Sequence, residues 1–105
     1  MVGKLLIDAG FDPSVVVGAT VPEWNGNARF GNGEYMVIEA DEFNNNFLHY
    51  YPEVIVINNI EFDHPDFFKS EGEVQESFKK FIGNLIGEKI LITEKNSCKY
   101  SFCIR

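Results

Sequence analysis

Cysteine, basic charge and long apolar runs are all scarce in this chain of 105 residues, and each scarcity removes a class of protein. The two cysteines, Cys98 and Cys103, lie five apart near the C-terminus. That spacing is neither C-x-x-C nor half of a zinc site, so they read as free thiols rather than a disulfide framework. Lysine and arginine number 9 against 16 acidic residues, a formal net charge of −7. Nucleic acid and anionic membrane surfaces both select basic patches, so neither is an expected partner. No apolar stretch approaches the ~20 residues of a membrane span. The first residues, "MVGKLLIDAGFDPS", have neither the long apolar core nor the small-residue cleavage site of a signal peptide. The cytoplasm is therefore the expected compartment. An acidic site that takes up a cation, or meets a phosphate through one, stays open.

What the chain has in quantity is core-forming material. Hydrophobic residues make up 45%, and ten phenylalanines head the aromatics, so the chain is expected to fold as at most one domain or part of one. Residues 2–9 suit a short helix stopped by Gly10. "VVVG" at 15–18 reads as a buried strand, and 19–33, rich in glycine and asparagine, as loop. "EYMVIEA" (34–40) and "EVIVINN" (53–59) read as two further strands, joined by an irregular or briefly helical "DEFNNNFLHYY" that Pro52 closes. Ser70-Glu71-Gly72-Glu73 fits a capping box. Behind it Val74, Phe78, Phe81, Ile82, Leu85 and Ile86 form one apolar helical face, with Gly87 as its stop and "KILIT" (89–93) as a fourth strand. Continuous apolar runs predict strands covered on both faces. The expected fold is α/β, a mostly parallel sheet with flanking helices over residues 1–93. The tail at 94–105 is left unassigned.

Chemistry-bearing residues gather where two of these strands end. Strand 34–40 delivers Glu39, Asp41 and Glu42, and strand 53–59 delivers Asn58, Asn59, Glu61, Asp63 and His64. Ligands of open α/β sheets bind at such carboxyl ends. Carboxylates with a single imidazole suit Mg²⁺ or Mn²⁺, and Mg²⁺ needs only one or two protein groups when phosphates supply the rest. Solvated loop carboxylates and a backbone-bonded turn histidine account for the same residues, and spacing does not choose between these readings. Other motifs fail. "GNARFGNG" precedes a strand rather than opening a helix, so it is no dinucleotide fingerprint, and Gly3-Lys4 lacks both the upstream glycine and the hydroxyl of a phosphate loop. His49 and His64 have no evident nucleophile partner.

The stretch "YMVIEADEFNNNFLHYYPEVIVINNIEFDHPDFF" (35–68) nevertheless resembles the central, ATP-binding domain of the Mur ligases of peptidoglycan synthesis. "EADE", "FLHYYP" and "NIEFDHPD" stand in that family's order and spacing, and "AGFDPSVVVGA" (9–19) resembles the segment after its ATP-binding loop. Within the family the resemblance is greatest to the branch that joins L-alanine to UDP-N-acetylmuramate. A murein tripeptide ligase is the alternative there, and a non-catalytic α/β assembly module able to self-associate is the alternative outside it. The resemblance implies an ATP-dependent ligase that passes through an acyl phosphate, with UDP-sugar and amino-acid substrates. It implies Mg²⁺ held by Glu39 and His64, the catalytic pair, with Asn59 lining the nucleotide site. The family's two outer domains and its phosphate loop have no counterpart here, so the expectation is a fragment that keeps the metal half of a site and is inactive alone.

Overall fold

The computed structural model describes residues 1–93; Cys98, Cys103 and the unassigned tail lie outside them. The chain divides after Ala40 into two units. Helix α1 (Val2–Asp8), strands β1 (Ser14–Val21), β2 (Gly26–Arg29) and β3 (Met36–Ile38) make up the first. The second holds a 3-10 stretch (Phe43–His49), β4 (Val54–Ile57), α2 (Glu71–Gly83) and β5 (Ile90–Thr93).

In the first unit α1 ends as the sequence predicts. Gly10 stands at φ 83°, while Gly10 N–H donates to Ile7 O and Phe11 N–H to Leu6 O, the paired bonds of a Schellman cap. The helix lies close on β1 because Gly3 is buried against it. A Cβ at Gly3 would sit 2.9 Å and 3.0 Å from the two Val15 methyls. β1 pairs in parallel with β3, Val15 opposite Val37, and antiparallel with β2, Val16 opposite Ala28.

β2 corrects the expectation that 19–33 is loop. Its residues, Gly-Asn-Ala-Arg, have no strand propensity of their own. They pair because an 8-residue β1 runs on to Val21 and the 3-10 turn Pro22–Trp24, closed by left-handed Asn25 (φ 51°), returns the chain along it. Behind β2 the loop is tied to Asp12. Its Oδ1 accepts from Arg29 Nη2, its Oδ2 from Asn32 N–H at 2.9 Å, and Arg29 Nη1 donates to Pro13 O.

The Asn32 N–H and then the Arg29 guanidinium hold the Asp12 carboxyl below the ordinary carboxylate value. A carboxyl depressed in the folded chain stabilises it above the unfolded value and loses that effect as pH falls. The melting temperature of the native chain should therefore exceed that of Asp12→Asn at neutral pH. The gap should close on acidification below about pH 4. A gap that persists in acid would refute the linkage.

The second unit is a strand–helix–strand core. Phe47, Ile55, Ile57, Ile60, Phe68, Val74, Phe81, Ile82 and Leu85 are buried together. Ser70 caps α2, its Oγ accepting Glu73 N–H at 3.3 Å. The Glu73 carboxylate reaches back one residue further than a capping box requires, to Lys69 N–H at 2.8 Å.

The helix stops at Gly83, not at Gly87. Asn84 terminates it by donating Nδ2 to Leu48 O at 2.9 Å and Tyr50 O at 3.2 Å, ties that helical continuation would break. Leu85 is still buried in the following turn, so its place in the apolar pattern was a packing signal rather than a helical one. Gly87 instead takes the left-handed turn (φ 61°) into β5.

β4 and β5 run parallel, Val54 opposite Ile90 and Ile57 opposite Thr93. The fold is thus mixed α/β; among the described residues the first unit holds a three-stranded sheet and the second a two-stranded one, where the sequence led one to expect a single, mostly parallel sheet. β4 is not covered on both faces either. Ile55 and Ile57 are buried while Val54 and Val56 are exposed, because α2 and its flanking turns cover one side only.

Candidate functional site

Two expected residues fall in different units, and each has a defined local setting. Glu39 follows β3 directly, and the parallel pairing of β3 with β1 brings it alongside Gly18. Gly18 N–H donates to Glu39 Oε2 at 2.7 Å, and Glu39 N–H donates to Val16 O at 2.9 Å. A backbone amide therefore holds one oxygen of an exposed carboxylate, leaving the second for a ligand. Sequence reasoning missed Gly18. The signal was its place at the end of "VVVG", where a strand passes beside the residue after its parallel neighbour.

His64 sits in the turn beyond β4 with φ 55°, a left-handed conformation uncommon for a residue with a side chain. Three bonds fix it there. Its N–H donates to Asp63 Oδ1 at 2.7 Å, and its carbonyl accepts from the amides of Phe67 and Phe68, both at 2.9 Å. Pro65 starts that turn, and buried Phe68 anchors it in the core. The imidazole is about one-third exposed, at 37%. Its Nε2 lies 3.7 Å from Glu42 Oε1 and 4.0 Å from Asp63 Oδ2. The Phe43 ring packs on it with centroids 5.1 Å apart.

Asn59 and its neighbours form a self-contained turn. Asn59 Nδ2 donates to Glu61 Oε1 at 2.6 Å, and Asn59 Oδ1 accepts Ile60 N–H at 2.9 Å. Glu61 and Asp63 thus satisfy the loop's own donors.

The carboxylate cluster after β3 is also built rather than loose. Asp41 Oδ1 accepts Phe43 N–H, its Oδ2 accepts Asn46 Nδ2, and its carbonyl accepts Phe47 N–H. Asn44 and Asn45 take successive left-handed conformations, φ 53° and 56°. Asn45 Oδ1 then accepts from the hydroxyl of Ser77, the buried polar residue of α2. The run of three asparagines is the sequence signal for that turn, since asparagine tolerates this region.

A carboxylate oxygen and an imidazole nitrogen are ligand types that Mg²⁺ and Mn²⁺ accept. Among the described residues no group of three or more histidine, cysteine, aspartate or glutamate side chains converges to hold a metal ion. Each of these groups taken singly is a ligand type suited to a cation that completes its shell with phosphate and water.

No family model matches the chain, but individual proteins do. It is 44% identical over 81 residues to the UDP-N-acetylmuramate–L-alanine ligase of a Synechococcus species, a match covering 77% of this chain and 17% of that protein. The ligase of the same name from Nostoc punctiforme is 44% identical over 81 residues, covering 77% and 17%. That from Desulfitobacterium hafniense is 45% identical over 80 residues, covering 76% and 18%.

Among solved structures the fold is similar to UDP-N-acetylmuramate:L-alanyl-γ-D-glutamyl-meso-diaminopimelate ligase from Neisseria meningitides. The TM-score is 0.75 at 25% identity, over 90% of this chain and 36% of that one. The chain spans about one-sixth of the length of the curated relatives it matches. Over that matched segment, three-quarters of its own length, it belongs to the Mur ligase family.

Proposed function

We propose that residues 1–93 are part of the central, nucleotide-binding region of a cytoplasmic ligase that joins L-alanine to UDP-N-acetylmuramate in peptidoglycan precursor synthesis. The observation that carries this reading is the 42–45% identity to enzymes of that name over most of the chain. The reaction would pass the γ-phosphoryl group of ATP to the substrate carboxylate, releasing ADP. Attack of the amine on the acyl phosphate then forms the amide and releases inorganic phosphate. In such a reaction Mg²⁺ neutralises phosphate charge.

This chain's part is to hold ligands ready for that cation. Glu39 offers the oxygen not taken by Gly18 N–H, and His64 offers a ring nitrogen from a turn that core residues anchor. Asn59 stands at the end of β4, where its amide orders the loop that leads to His64. Single ligands without the rest of a nucleotide site give no turnover, so the 105-residue chain is expected to be inactive alone.

A second reading draws on the solved neighbour, an enzyme named for a tripeptide as the added group. Its 25% identity against 42–45% puts it behind the first.

The test replaces the corresponding segment of a full-length L-alanine ligase with this chain and follows ATP-dependent amide formation. Activity with L-alanine is expected, falling about a hundredfold or more in Glu39→Ala or His64→Ala while ATP hydrolysis falls in parallel. A folded chimera that adds only the tripeptide would select the second reading. A folded chimera that is active without either side chain would refute their proposed role. Ligation by the isolated chain would refute its proposed inactivity.

A further inference from the structure

His64 is confined from more directions than a metal ligand in an open loop needs to be. Glu42 Oε1 stands on the Nε2 side of the ring at 3.7 Å, with Asp63 Oδ2 further off at 4.0 Å, both a little beyond hydrogen-bond length. Phe43 tilts over the ring at 55°, and Phe67 backs Phe43 in turn with centroids 5.8 Å apart. The backbone that carries Glu42 and Phe43 is held in place. Both leave a turn whose backbone is tied at Asp41, at Asn45 N–H to Glu42 O, and at the Asn45–Ser77 side-chain bond to α2. The Glu42 side chain is itself only 30% exposed.

We propose that Glu42 and Phe43 are positioning residues for His64. The carboxylate draws the Nε2 side of the imidazole towards itself and the phenyl ring fixes its plane, so that Nδ1 is the nitrogen presented to a ligand. The nature of that ligand, a divalent cation, rests on the functional reading above; the positioning does not. The physical logic is that of a carboxylate behind a ligating histidine. A proton held on one ring nitrogen by an outer carboxylate leaves a lone pair on the other, with the ring already oriented. Phe43 adds what a lone carboxylate on a flexible side chain cannot, a flat surface that restricts rotation about the ring axis.

The test uses the isotope-labelled 105-residue chain, with the imidazole nitrogens and ring protons read by NMR at mildly alkaline pH and exposed His49 as internal reference. The free chain is expected to show His64 biased towards the Nε2–H form relative to His49, with its ring protons displaced by Phe43. Glu42→Ala should move the His64 nitrogens towards the His49 values, with Asp63 the carboxylate left on that side, and Phe43→Leu should abolish the displacement. Glu42→Gln, which keeps length and a hydrogen-bond acceptor, should retain the tautomer bias. Titration with Mn²⁺ alone should broaden the Nδ1 side of His64 first, at about tenfold higher concentration in Glu42→Ala.

Unchanged His64 signals in Glu42→Ala and Phe43→Leu would overturn the proposal, as would broadening that begins at Nε2. Signals that respond to both substitutions in a chain whose His64 ignores Mn²⁺ would uphold the positioning and count against the metal role instead.

Discussion

Phe47→Ala should cost the chain about 3–5 kcal/mol, the range for truncating a buried aromatic. Phe47 is 1% exposed, and its ring stacks on Phe81 at 4.6 Å and meets Phe78 edge-on at 5.1 Å. Alanine would leave a void between the 3-10 stretch and α2 that neither element can close. Asn84 ties one end of the stretch to the helix terminus, and Asn45–Ser77 ties the other. A domain of this size has roughly 5–10 kcal/mol of stability, so the loss should remove about half of it and lower the urea midpoint in proportion.

The same substitution should also disturb His64. The Phe47 ring packs its stretch on α2, and the backbone of that stretch closes, through Phe47 N–H to Asp41 O, the turn that carries Glu42 and Phe43. Loss of the ring loosens that packing. Phe47→Leu should retain most of the stability. A Phe47→Ala midpoint within about 1 kcal/mol of the native one would show that the ring is not a keystone of the second unit.

The second large effect is expected in the first unit, from Gly33→Ala. A Cβ there would lie 1.8 Å from Phe11 O and 2.8 Å from Asp12 O. Backbone atoms cannot rotate away as a side-chain tip can, so either the 30–35 loop or the α1–β1 turn must move. Gly33 N–H also donates to Asp12 O at 2.8 Å, and two residues later Tyr35 O receives Ser14 N–H, which opens the β1–β3 pairing. A loss at or above the ~3 kcal/mol upper end of ordinary overpacking is expected. It should be visible as faster amide exchange across Ser14–Val16 and Met36–Ile38 while α2 keeps its protection. Retained exchange protection in β1 would refute the steric account. Gly83→Ala, where a Cβ meets nothing within 4 Å, is the control.

Those glycines illustrate where the sequence is legible and where it is not. "GNARFGNG" could be rejected as a nucleotide fingerprint from context alone. Nothing local revealed that Gly31 and Gly33 are needed for close approach to the carbonyls of residues 11–13, because that neighbour lies some twenty positions away. The start of α2 was legible because Ser70 and Glu73 act within one turn. Its end was not, because Asn84 answers to the carbonyls of Leu48 and Tyr50 on another element.

"VIVI" showed that β4 is a strand but not which of its faces is covered, since a run without polar residues has no phase. At the candidate site the residue types around His64 were readable. That Glu42 and Phe43, rather than the adjacent acids alone, stand against its ring depends on a turn built by two left-handed asparagines. No periodicity encodes that turn.

The pairing of β4 with β5 has a consequence for synthesis. Among the described residues its partner lies on the far side of α2, so β4 leaves the ribosome as an apolar strand, and this pairing waits until the whole helix and its flanking turns have been made. During that interval Val54–Ile57 presents an open hydrogen-bonding edge and uncovered valine side chains, the profile of a segment that pairs with the wrong chain. Glu53 immediately before it and the acidic loop after it, from Glu61 to Asp66, then serve the nascent polypeptide as charged flanks that discourage such pairing.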